Sequence, residues 1–325
     1  MQISQERGAT SVDVTTGGVY TVDQWIAGLS ATPGGTLRAQ QVASVTPGGS
    51  PFRLRHTVQV ADTSIAAGDV YVITQPIEGW MVADARFGSA SARQLILRFG
   101  VRSSVAGTFA ARIHNHDSSR SWIAMFTIAA GEINTDVVRT FVVPGSTTGT
   151  WLTDAGLGMS FQICLAAGAT WHGVAGWQNG NAATTSAQTN LMATAGATFD
   201  LFDVGLYVDP LNIGAAPPWE LPAWDADLRA CQRYFEWVPF DIGFTSSGAN
   251  NILQLSVPFV VDKRATPVFG SIVADPAKAQ FIANSSGAAF NGSYSSTRSG
   301  FANLTATASG NCQHIGYRSA ASARL

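Results

Sequence analysis

Leu157-Gly158-Met159-Ser160-Phe161-Gln162-Ile163-Cys164-Leu165 is the stretch whose reading decides the fold. Every second residue from Leu157 to Leu165 is large and apolar, and the residues between are small or polar. That period of two belongs to a strand with one face on a core. By parity Cys164 lies opposite the core-facing set.

The same pattern recurs on both sides of this stretch. Phe52, Leu54, Val58 and Val60 alternate with Arg53, Arg55, Thr57 and Gln59, and His56 interrupts the apolar face. Val70 to Ile73 is a shorter β run. Leu95, Leu97, Phe99 and Val101 alternate with Gln94, Arg98 and Arg102, and Phe109, Ala111 and Ile113 follow a turn at Ala106-Gly107. Trp122 to Ile128 and Val137 to Val143 continue the series, the second closed by Pro144-Gly145. In Phe199 to Val208 the apolar phase shifts, and a β-bulge near Leu201-Phe202 restores a single core face. Residues 1–50 read as irregular, and 176–198 as a long excursion rich in Asn, Thr, Ala and Gly. Repeated strands with Gly-bearing turns and no intervening helix predict an antiparallel jelly-roll β-sandwich.

One segment departs from this pattern. Trp224, Leu228, Cys231 and Phe235 fall at helical spacing, with Asp225 as N-cap and Asp227 near the positive end of the helix dipole. The prolines of Pro217-Pro218-Trp219-Glu220-Leu221-Pro222 resist both helix and central strand. Beyond the helix, Leu253 to Val261, Val268 to Val273, Gln280 to Ile282, Phe301 to Thr307 and His314 to Tyr317 read as strands, with Pro258 marking an edge or bulge. The organisation expected is all-β. A jelly-roll sandwich spans 1–213, a proline-rich linker 214–223, and a smaller β domain carrying one helix 224–325. A chain of 325 residues exceeds the usual single core.

Composition narrows the function. Charged residues make up 12% of the chain and the formal net charge is −2, so nothing in the charge favours nucleic acid or an anionic membrane. Cys164, Cys231 and Cys312 are far apart and match no metal spacing. No apolar run is long enough to span a bilayer, and the first residues lack the charged start and apolar core of a secretory signal. His114-Asn115-His116-Asp117 resembles a metal cluster, but neighbouring strand positions face opposite ways, so a solvated hairpin is the better reading. No nucleophile elbow, phosphate loop or dinucleotide fingerprint is present. Carboxylate pairs are scarce: Asp200 and Asp203 flank the bulge, and Asp225 and Asp227 belong to the helix end. No cofactor is implied.

Trp171, His172, Trp177, Gln178 and Asn179 form the one set suited to a ligand, in a region almost free of charge. A ring stacks on the C–H face of a neutral sugar, while amides and an imidazole bond its hydroxyls. The competing reading is that these tryptophans plug the end of the sandwich.

Several segments, in order, resemble bacteriophage and prophage fibre or spike proteins, including those of phage-like gene transfer particles. They are Ile3-Ser-Gln-Glu-Arg-Gly8, Tyr20-Thr-Val-Asp23-Gln-Trp25, Ile77-Glu78-Gly79, Phe99-Gly-Val-Arg102-Ser103-Ser104, Gly107-Thr-Phe109 and Gly149-Thr-Trp151. Leu228 to Phe235, Lys263-Arg264-Ala-Thr266-Pro267 and the ending Tyr317 to Leu325 complete the set. Such proteins often carry Gln-Leu-Glu before the linker; here Asp203-Val-Gly-Leu206-Tyr-Val-Asp209 takes its place. The resemblance implies a virion component, usually a homotrimer, presented to a host cell-surface glycan and held by other virion proteins. It implies no catalytic residue. A purely structural fibre or adaptor is the alternative, and a polysaccharide-degrading enzyme a third. Lacking a long N-terminal shaft, the chain reads as a compact spike or fibre head, or as one piece of a multi-chain fibre.

Overall fold

The computed structural model describes residues 1–30, 33–246, 252–253, 257–270, 273–274, 281–284, 290–292, 300–301, 304–306 and 310–325. It divides into two compact units, Met1–Ala223 with Leu325, and Trp224–Arg324.

The first unit is built from β1 (Val12–Val14), β2 (Gly18–Tyr20), β3 (Ile26–Leu29), β4 (Thr36–Ala43), β5 (Phe52–Val60), β6 (Val70–Glu78), β7 (Gln94–Ser103), β8 (Gly107–Asn115), β9 (Arg120–Ile128), β10 (Val137–Val143), β11 (Leu157–Ala167), β12 (Gly176–Asn179) and β13 (Thr198–Asp209). One sheet has the order β1-β4-β5-β13-β7-β10, the other β12-β9-β8-β11-β6-β3-β2. The chain passes repeatedly between the two sheets, and their ladders are antiparallel. This is the sandwich that the alternation predicts. Leu54, Val58, Leu95, Leu97, Phe99 and Val101 from one sheet meet Tyr71, Ile73, Phe109, Ile113, Met159, Phe161, Ile163 and Leu165 from the other in a single core. Phe99 packs at 5.3 Å from Phe126 and 5.8 Å from Phe161, between ring centroids, and such contacts add to plain area burial.

Two expectations need correction. Residues 1–50 are not irregular: β1 to β4 lie there, and Leu37 and Ala39 of β4 enter the core. Small and polar residues at the other positions of β4 hid its period. The bulge expected near Leu201-Phe202 is present: the register shifts between Phe202 and Gly205, where Asp203 takes a left-handed φ of 47°. Its carboxylate accepts bonds from the Thr46 hydroxyl at 2.7 Å and the Gly48 amide at 2.8 Å, which holds that conformation. The 176–198 excursion is not wholly irregular, since β12 pairs with β9.

In the second unit a helix, Trp224–Gln232, buries Cys231 and leaves Trp224 largely exposed. Asp225 and Asp227 both lie in its first turn. Phe235 is not on the helical face: it opens the strand Phe235–Ser246, whose partner is the last strand, Gly310–Ser322. Lys263 is fully buried there and donates to the Glu236 carboxylate at 2.7 Å. The strand expected over 253–261 appears as Ile252–Leu253 and Val257–Pro258. Residues 254–256, with parts of the strands expected at 268–273, 280–282 and 301–307, lie outside the described residues. Among the described residues no helix is long and apolar enough to cross a membrane.

Candidate functional site

Strands β6, β8 and β10 end, and β7, β9 and β11 begin, at the same end of the sandwich. The loops joining them therefore meet there. Two glycines allow the closest approach. Gly88 and Gly149 have φ of +81° and +88°, and a Cβ on Gly88 would lie 2.6 Å from the Gly149 carbonyl. Only glycine accommodates both demands. The Gly88 amide donates to the Ser146 carbonyl at 2.8 Å, which locks the two loops together.

Each loop carries an aromatic ring beside its glycine. Phe87 and Trp151 meet edge to face at 4.9 Å between centroids. Trp177, delivered by β12 opposite Trp122, meets Phe87 and Trp151 at 5.8 Å each, both edge to face. All three rings are half-buried and pack against the core cluster. Their indole donors are fixed: Trp177 Nε1 donates to the Pro144 carbonyl at 2.7 Å and Trp151 Nε1 to the Thr148 carbonyl at 3.0 Å. The result is a fixed cluster of three mutually near-perpendicular rings, each only half-buried.

Polar groups rim this cluster. The Arg120 guanidinium lies 5.4 Å over the Trp177 ring and donates to Asn179 Oδ1 at 2.9 Å. Buried Asn115 bonds the Thr150 carbonyl and the Arg120 amide, tying the β8–β9 hairpin to the neighbouring loop. His116 Nδ1 lies 3.2 Å from the Thr150 carbonyl. Asp117 is exposed, and the Ser119 hydroxyl and amide hold its carboxyl below the usual range. The His114–Asp117 segment is thus a hairpin, but not a solvated one throughout, since His114 and Asn115 are buried. No group of His, Cys, Asp or Glu able to hold a metal occurs among the described residues.

Behind the hairpin lies the outer face of the seven-stranded sheet. Arg112, buried, donates to Gln162 Oε1, Ser121 Oγ and Asn181 Oδ1 at 2.9, 2.9 and 2.6 Å. Burial pushes its pKa down to about 10. Burial, aided by the Arg112 charge, pushes His114 down to about 4. Burial raises the Cys164 thiol to about 12, so the thiol stays protonated.

The sequence set divides between two places. Trp177 and Asn179 belong to the loop-end cluster. Trp171 and His172 lie past the far end of β11, where Trp171 Nε1 donates to the Gly68 carbonyl and His172 Nε2 lies 3.2 Å from the Ala167 carbonyl. Trp171 packs in a satellite cluster with Val72, Ile123 and Cys164, on the other side of the sheet from the main core. Gln178 faces away from Trp177 and spends its amide on the Val174 backbone, donating at 2.9 Å and accepting at 3.1 Å. Phe87, Trp151 and Arg120 escaped the sequence reading as site residues. The signal for them was faint: an aromatic within two residues of a loop glycine, once in Phe87-Gly88 and once in Gly149-Thr-Trp151.

No protein-family model matches the chain, and no curated protein matches it. Solved structures with a similar architecture include an enzymatically active domain of bacteriophage CBA120 tailspike protein 4, at TM-score 0.32 and 10% identity, covering 57% of this chain and 20% of that one. A family 11 carbohydrate-binding module from Clostridium thermocellum, in complex with a β-1,3-1,4-mixed-linked tetrasaccharide, gives TM-score 0.31 and 12% identity over 61% of this chain and 95% of that one. A xylan-binding domain from Paenibacillus barcinonensis gives TM-score 0.28 and 12% identity over 65% of this chain and 99% of that one. The chain thus spans about a fifth of the tailspike domain. All three scores lie below 0.5, and no functional argument rests on them.

Proposed function

We propose that the protein is a surface component of a phage or phage-like particle, and that it binds a host-surface glycan at the Phe87–Trp151–Trp177 cluster. One observation carries the binding part: three half-buried rings, two of them indoles with fixed N–H donors, beside Arg120 and Asn179. A ring face and a nearby amide are the groups that a sugar's C–H face and hydroxyls require. The particle part is supported by the ordered sequence segments quoted above. In this reading Trp171, His172 and Gln178 hold the excursion on the sheet and do not touch the ligand. Single sites of this kind bind weakly, and a homotrimer compensates through avidity, by roughly 10²–10⁴ over one site.

A binding role fits the carboxylates better than a catalytic one. Glycoside hydrolysis uses two carboxyl groups flanking an open cleft. Asp200 is buried against Arg55 at 2.7 Å, and Asp203 is committed to Thr46 and Gly48. The structural-adaptor reading has its own supporting observation. Trp80, Met81, Leu211 and Ile213 are 64, 60, 77 and 69% exposed. Met81, Leu211 and Ile213 line a groove of about 710 Å³, together with Tyr207 and Ile96. Protein partners use such apolar surfaces.

The test pairs host-cell binding with thermal unfolding for Trp151→Ala, Trp177→Ala and Trp171→Ala. The first two variants are expected to remain folded at the assay temperature and to lose attachment. Trp171→Ala is expected to lower the melting temperature and still bind. Retained attachment by folded Trp151→Ala and Trp177→Ala would contradict the reading.

A further inference from the structure

Five of the eight arginines on the strands of the first unit lie near a carboxylate, Arg102 at 3.7 Å from Asp136 among them. Arg38 pairs with Asp13, Arg53 with Asp136, Arg55 with Asp200 and Arg139 with Glu132, each within 2.7 Å. Arg98 on β7, which lies over the Trp219 ring, and the two arginines of the β8–β9 hairpin do not follow this rule. Arg120 has only neutral neighbours among the described residues: Asn179 Oδ1 at 2.9 Å, Ser146 Oγ at 3.4 Å and the Trp177 ring. Its Nη2 has no protein partner there. The nearest carboxylate in sequence, Asp117, is turned onto Ser119 and His116. Arg112 is 2% exposed, and its bonds also go only to neutral groups. Its Nε is buried without a partner.

One short segment faces both cations. Asn179 accepts from Arg120 and Asn181 from Arg112, while Gly180 between them bonds the hairpin at Ser119 and Ser121. Amide oxygens thus stand where aspartates would neutralise the charge. A half-buried guanidinium without a counter-ion is unfavourable, and a ligand that brings one relieves it. The Trp177 ring lies 5.4 Å beneath Arg120, and a guanidinium fork suits a planar, two-oxygen acceptor.

Resting on the glycan reading above, we propose that the sugar bound at the Trp151–Trp177 cluster carries a carboxylate, and that Arg120 pairs with it. One ring face of the cluster takes the sugar's C–H face, and Arg120 Nη2, beside it, takes the acid group. Arg112 lies deeper and contributes positive potential without touching the sugar. The low charge of the region, which on its own suits a neutral sugar, is a low count of acids as much as of bases: Arg120 is exposed to ligand with no competing protein carboxylate among the described residues.

The test uses the full chain on an array of oligosaccharides ending in uronic or sialic acids, each beside its methyl ester. The acid forms are expected to bind about tenfold or more tightly than the esters, the worth of a charge-assisted hydrogen bond, and to weaken with salt. Arg120→Gln is expected to erase that preference with an unchanged melting temperature, and Arg120→Lys to keep part of it. Equal binding of acids and esters would overturn the proposal and leave the glycan reading standing. An Arg120→Gln protein that keeps the full preference would overturn it too. Binding to no member of the array would overturn both.

Discussion

His56 sits on the inner face of β5 with its imidazole wholly buried and neither ring nitrogen bonded. Desolvation lowers its pKa to about 3. The unfolded chain takes up the proton near pH 6.5. Between these values the unfolded state binds one more proton than the folded state. Stability is therefore full above about pH 6.5 and falls as pH drops toward 3, by about 1.4 kcal/mol per unit. His114, lowered to about 4, acts in the same direction. His56→Leu removes the larger contribution. Urea unfolding should find the variant at least as stable as the parent at pH 7, with its advantage larger by about 2 kcal/mol at pH 5. Equal losses in both proteins on acidification would show that His56 is not the titrating group. The sequence displayed His56 as a break in an apolar face, but not its lack of partners. Residue type is written in the chain; what surrounds a side chain is set by strands distant in sequence. The tryptophans teach the same lesson. Trp171 and Trp177 are six positions apart and alike in composition, yet they pack on opposite sides of one sheet.

Among elements, β5 and β13 show what holds the six-stranded sheet. Buried Arg53 on β5 donates to both oxygens of Asp136 at 2.7 and 3.0 Å, to the Val45 carbonyl at 2.8 Å, and lies 4.7 Å over the Phe202 ring. Asp200, buried on β13, stands 3.6 Å from it. This one side chain ties β5, the β9–β10 connection and β13. Arg53→Met leaves Asp136 and Asp200 with less positive charge, a change that typically costs about 3–5 kcal/mol for a buried pair. Denaturant unfolding of Arg53→Met should show a loss in that range; a loss under about 1 kcal/mol would mean the network is incidental. Strands with strict alternation, such as β5, β7 and β11, were legible because burial on one face writes a period of two. β4 was not, because Thr36, Arg38, Gln40 and Gln41 dilute its apolar residues. The register of Phe235 was illegible for another reason. Its spacing from Cys231 suits a helix, but the ladder with Ser322 claims it for a strand, and long-range pairing outweighs local period.

For the whole molecule, the account rests on repeated weak sites. The protein is expected to sediment as a homotrimer with three times the chain mass at micromolar concentration; a stable monomer there would remove the avidity argument. The jelly-roll was readable from alternation and turns. The aromatic cluster was readable only in part. Trp177 and Asn179 stood out by type, whereas Phe87, Trp151 and Arg120 join them through loops brought together by sheet closure. The most direct measurement follows the indole N–H resonances of tryptophan-labelled protein during titration with host-surface polysaccharide. Nine tryptophans give nine reporters. The account predicts that Trp151 and Trp177 shift with a common saturation curve while Trp171 and Trp25 stay in place. Shifts centred on Trp171, with Trp151 and Trp177 unmoved, would contradict it.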